Sequence, residues 1–130
     1  MRSMMLFALL LPMFAQAADG AWSASAAGPL LVNRGSWQSS QPLTPPGEVK
    51  GAISLVNWRY QFTQPAPSGL QVRLCADQRC TDLEGANGGT RGLTGVAAGE
   101  TLHMVFGFAG SGSLPPGLKV VSTEVTVNYH

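Results

Sequence analysis

The chain has 130 residues, with eight Lys/Arg against seven Asp/Glu, a formal charge of +1 and only 12% charged residues. So neutral a balance gives no electrostatic basis for capturing nucleic acid or an anionic lipid surface. Sixteen glycines and nine prolines suit a turn-rich all-β domain better than a helical one, and the length leaves room for one core.

In chain order, the first feature is a leader. Arg2 is the single charge of a stretch that runs apolar from Met4 to Phe14, contains Pro12, and ends in Ala15-Gln16-Ala17, the small-x-small pattern read by signal peptidases. Residues 1–17 are therefore expected to be a cleaved signal peptide, and residues 18–130 an exported β-sandwich domain in the periplasm. An apolar run of about 11 residues falls short of the ~20 that a helix needs to cross a bilayer core, so no membrane insertion is expected after cleavage. Losing Arg2 leaves seven Lys/Arg against seven Asp/Glu.

Weak strand signals follow at Trp22 to Ala26 and Leu30 to Asn33. Residues 33–47 then carry Gly35, Pro42, Pro45, Pro46 and Gly47 and read as a long loop, in which Trp37 has no obvious sheet to join. Val56, Trp58, Tyr60 and Phe62 alternate with Asn57, Arg59 and Gln61, which predicts a strand with an aromatic core face. Just before it, Ile53 to Val56 is apolar at adjacent positions, so either both faces are covered or a bulge between Gly51 and Val56 switches the register.

After a turn marked by Pro65, Pro67 and Ser68-Gly69, the residues Leu70, Val72 and Leu74 alternate with Gln71, Arg73 and Cys75. Cys80 to Glu84 returns as a partner strand. Residues 85–99 hold six glycines and read as a loop with a weak strand at Leu93 to Val96. Leu102, Met104, Phe106 and Phe108 form another alternation, residues 109–117 a Gly/Pro loop, and Val121, Thr123, Val125, Val127 and Tyr129 share one face of a last strand. About seven or eight short strands predict an antiparallel β-sandwich, with a barrel as the alternative.

Chemistry-bearing motifs are sparse. The sequence holds no G-x-S-x-G, H-E-x-x-H, P-loop or Rossmann fingerprint, and its glycine-rich stretches lack the lysine of a phosphate cradle. His103 sits between apolar neighbours and reads as a sheet residue; a hydrolase would need a carboxylate and a serine brought beside it. Asp77, Asp82 and Glu84 around Arg79 read as a solvated turn rather than a calcium site. No cofactor and no metal are expected.

Cys75 and Cys80, the only cysteines, are expected to form one disulfide in an oxidising compartment. A zinc half-site or a redox pair is the competing reading, weakened by the lack of a second ligand pair and of C-x-x-C spacing. Trp37 and Arg59 are the candidate partner contacts, with Arg34, Arg73 and Arg91 completing a basic patch only if the fold gathers them. A second functional class is a peptidoglycan or glycan binding module using Trp37 and Trp22.

Three stretches carry a family resemblance: Asn57-Trp58-Arg59-Tyr60-Gln61, Ser68 to Cys75 with Cys80, and Lys119 to Tyr129 ending in Val127-Asn128-Tyr129. With the leader and the length, the whole chain resembles the FlhE family of flagellar proteins. The resemblance implies a small periplasmic β-rich protein, a non-enzymatic regulator or chaperone of flagellar type III secretion that limits proton leakage through the export apparatus. Its implied partners are export-gate or rod proteins on the periplasmic side. The family has no catalytic motif to carry over; what transfers is Cys75–Cys80 as a structural bridge and Trp58, Arg59 and Tyr60 as a strand without an assigned role.

Overall fold

A computed structural model describes residues 19–130, so the expected leader lies outside the described residues. Eight strands follow one another: β1 (Gly20–Ala26), β2 (Trp37–Ser39), β3 (Ile53–Phe62), β4 (Leu70–Cys75), β5 (Cys80–Leu83), β6 (Asn87–Thr90), β7 (His103–Phe108) and β8 (Val120–Tyr129). They form two four-stranded sheets, in the orders β1-β8-β3-β6 and β2-β7-β4-β5, with every pairing antiparallel. The expected β-sandwich is what the chain forms.

Alternation sets the core. Val56, Trp58 and Tyr60 of β3, Val72 and Leu74 of β4, Met104, Phe106 and Phe108 of β7, and Val125 and Val127 of β8 are all buried between the sheets. Tyr60, Phe62 and Phe106 meet edge to face with ring centres 5.2–5.9 Å apart, the geometry favoured by the ring quadrupoles.

The expected bulge is present: β3 steps from Ile53 to Leu55 while β8 steps from Tyr129 to Asn128, leaving Ser54 as the extra residue. A second bulge corrects the expected face of β8. Gln61 pairs with Ser122 but Phe62 with Val120, so the ladder skips Val121. Val120 is consequently the buried residue and Val121 is turned out.

Two weak strands are not strands. Leu30 to Asn33 makes only isolated bridges, Leu30 to Lys119 and Asn33 to Ser113, because its partner stretch contains Pro115 and Pro116, which have no N–H to extend a ladder. Leu93 to Val96 is a turn closed by the Val96 N–H donating to the Leu93 carbonyl, and Leu93 drops from it into the core.

Two strands instead arise inside expected loops. In β6, Gly88 and Gly89 lie opposite Trp58 and Asn57, and a Cβ on either would stand within 3 Å of those side chains. Glycine, ordinarily poor in strands, is here what lets the edge strand approach β3. The other unexpected strand is β2, which carries Trp37.

Candidate interaction surface

Trp37 joins a sheet after all, opposite Gly107 of β7. The expected loop conformation is corrected by a close approach: a Cβ on Gly107 would lie 2.9 Å from the indole, so the absent side chain is the seat for the ring. The indole reaches across β7 toward β4, where the Arg73 guanidinium lies over it, 4.6 Å from the ring centre. Arg73 Nε donates to Asp82 Oδ1 of β5 at 3.3 Å. Trp37 stays 41% exposed, one of four large apolar side chains that are exposed among the described residues.

The same outer face carries the cysteine hairpin. Cys75 and Cys80 face each other across β4 and β5 and are joined as a disulfide, the arrangement expected of a structural bridge. On the other side of β4, Cys75 is opposite His103. His103 lines a shallow pocket with Asp77, Glu100 and Thr101, and no serine lines it, so the hydrolase arrangement is not assembled. Among the described residues no three His, Cys, Asp or Glu side chains gather as metal ligands.

Arg59 lies elsewhere. It alternates with the inward Trp58 and Tyr60, so it projects from the outer face of the other sheet, where Nη2 donates to Glu124 Oε1 at 2.6 Å. Around the pair is an open trough floored by Asn57, Gly89 and Thr126 and flanked by Asn87. Trp37 and Arg59 are therefore on opposite faces of the sandwich and cannot form one site.

The arginines are dispersed as well. Arg34 Nη1 donates to the carbonyls of Ser68 and Ala109, at 2.9 and 3.1 Å, and its guanidinium caps the Phe108 ring. It fastens loops rather than a ligand.

Trp22 is only 5% exposed and its Nε1 donates to the Ala98 carbonyl, which removes it as a glycan platform. Tyr60 borders a cavity of about 300 Å³ with Val72, Arg73, Asp82 and Leu83, and burial raises its phenol above the ordinary 10.0. Sequence reasoning missed Gly107, and it weighed Arg73 only as part of a basic patch, not as the partner of Trp37. The available signal was a glycine on the opposite face of the Leu102 to Phe108 strand, since a strand glycine often marks a close approach.

Comparison with known proteins fits this architecture. The family model described as Flagellar protein FlhE matches residues 28–130. The Flagellar protein FlhE of Escherichia coli K12 is 48% identical over 122 residues, covering 93% of this chain and 94% of the relative. That of Yersinia enterocolitica is 41% identical over 123 residues, covering 92% and 87%. A solved chain described as the crystal structure of FLHE superposes with a TM-score of 0.84 at 46% identity, covering 88% of this chain and 99% of its own. By sequence and by fold alike, this chain belongs to the FlhE family of flagellar proteins.

Proposed function

We propose that this protein is a non-enzymatic periplasmic accessory of flagellar type III export, which acts by binding export-gate or rod components from the periplasmic side and limits proton leakage through the apparatus. The observation that carries the reading is family membership: relatives named as flagellar proteins match more than nine-tenths of the chain. The leader-like residues 1–17 support the compartment, and a domain cut after Ala17 has no access to the cytoplasmic face where substrates are loaded.

A tryptophan and an arginine stacked on a half-exposed sheet face form the composition enriched in protein-binding hot spots. Arg73 lies over the Trp37 ring, where a sugar would stack, and Trp22 is buried. Both facts favour a protein contact over a glycan platform.

The test is deletion of the coding region, followed by motility, export of flagellar subunits, and cytoplasmic pH at low external pH. The expected result is impaired flagellar function and an acidified cytoplasm, restored by the wild-type chain; wild-type behaviour in all three measurements sinks the proposal. Retention on purified peptidoglycan that is lost in Trp37→Ala would instead support the glycan reading.

A further inference from the structure

We propose that two copies of this chain pair through β1, antiparallel about a twofold axis at Ser23, joining their four-stranded sheets into one continuous sheet of eight.

The direction of the backbone groups follows from neighbouring bonds. Ala52 and His130 each donate an N–H to the other's carbonyl, at 2.9 and 3.0 Å, so the backbone groups of His130 point to the β3 side. Backbone direction alternates along a strand. Those of Tyr129, Val127, Val125 and Thr123 therefore point to β1, where their partners are Gly20, Trp22, Ala24 and Ala26. On β1 it is thus Ala21, Ser23 and Ser25 whose groups point away from β8. An independent bond fixes the same phase: Ala27, next in that series, accepts the Gln41 N–H at 3.0 Å from the far side.

No hydrogen bond among the described residues reaches the N–H or C=O of Ala21, Ser23 or Ser25. Each residue carries one donor and one acceptor. The free edge thus offers three of each, bounded at one end by the capped Ala27 and then Pro29.

Edge strands are normally blunted by charge, proline, bulges or shortness. β1 has none of these. Its seven residues read Gly-Ala-Trp-Ser-Ala-Ser-Ala, and they run in unbroken register with β8. The other edges are less open: β2 has three residues, β5 carries Asp82 in its ion pair with Arg73, and β6 packs toward β5, with Thr81 and Thr90 hydroxyls 3.5 Å apart.

A second copy is the occupant that this edge fits. With Ser23 opposite Ser23 of its mate, Ala21 faces Ser25 and Ser25 faces Ala21, and the three donors and three acceptors of each copy are all satisfied. No charged side chain enters the pairing. The domain without its leader has equal numbers of acidic and basic side chains, so two copies meet no long-range repulsion. A contact this short belongs to the weak, reversible class of interfaces.

Sedimentation equilibrium of the exported chain, purified from the periplasm, tests the pairing over about 10 µM to 1 mM, the range suited to a small interface. The expected result is a reversible monomer–dimer equilibrium. Ser23→Pro removes an N–H that faces solvent in the monomer, so it leaves the intrachain ladder intact while weakening the dimer at least about tenfold. Ser23→Lys places two like charges at the twofold axis and weakens the dimer in a way that added salt partly reverses. Ser23→Ala dimerises like wild type. A wild-type chain that sediments as a monomer throughout overturns the proposal, as does a dimer untouched by both Ser23→Pro and Ser23→Lys.

Discussion

If the Trp37 indole is seated on Gly107 and held there by Arg73, the three residues form an energetically coupled unit whose size follows from the geometry. Trp37 is 41% exposed, so rather more than half of its surface is covered. Covering that share of a large aromatic removes roughly 100–150 Å² from water, worth about 3 kcal/mol at ~25 cal/mol per Å². Residual compactness of the unfolded chain brings the expected cost of Trp37→Ala down to about 2 kcal/mol.

Arg73 contributes less. An exposed cation–π contact is worth ~0.5–1 kcal/mol, and Asp82 at 3.3 Å competes for the same guanidinium. Arg73→Ala should therefore cost about 1 kcal/mol, and the double-mutant cycle should show a Trp37–Arg73 coupling of about 0.5–1 kcal/mol. Gly107→Ala puts a methyl where the indole rests, lifts the ring, and should abolish that coupling. Urea unfolding followed by far-ultraviolet circular dichroism measures every chain of the cycle, in the wild-type and in the Gly107→Ala background, without relying on the deleted fluorophore. A Trp37→Ala cost below about 0.5 kcal/mol would show that the indole is not seated, and a coupling of zero would remove the stack.

Two further outcomes follow from the structure. The Cys75–Cys80 bond spans a sequence separation of only 5, so the chain-entropy model assigns it about 2 kcal/mol; the Cys75→Ala/Cys80→Ala variant should stay folded with a modestly lower urea midpoint, and loss of cooperative unfolding would show that the bond holds more than its hairpin. Burial raises the Tyr60 phenol above 10.0, which means the folded state favours the neutral form: the stability it supplies is whole below pH 10.0 and is lost as pH climbs through the raised folded value. Unfolding midpoints taken across this alkaline window should fall in wild type and fall less in Tyr60→Phe, and equal slopes would sink the assignment.

Alternation made the core legible because burial between two sheets imposes a period of two on β3, β4, β7 and β8. Even the Ser54 bulge showed, as adjacent apolar residues needing two different faces. What the sequence concealed were elements whose conformation is decided by a partner. β6 is Asn-Gly-Gly-Thr and carries no strand propensity; it becomes a strand because Trp58 and Asn57 leave room only for glycine beside them. β2 is three residues long and shows no alternation; it becomes one by docking Trp37 on Gly107. Val121 reads as a core residue in any strict count of two and is turned out because it is itself the extra residue of a bulge in β8, where Gln61 and Phe62 of β3 pair with Ser122 and Val120.

The interaction surface was harder to read for the same reason, carried further. Side chains on the outer faces answer to no burial period, so Arg59 and Trp37 look alike in the sequence and end on opposite sides of the sandwich. Trp37 and Arg73 come from strands that do not pair with each other, β2 and β4, and meet across β7 only because that strand has a glycine between them. In this fold an interior glycine in a strand is therefore information about what lies on top of it: Gly88 answers to Trp58 beneath the sheet, Gly107 to Trp37 above it. The second pair is the one with its ring still open to solvent, and that is the physical ground on which we propose partner contact on the face built by β2, β7 and β4 instead of the trough around Arg59.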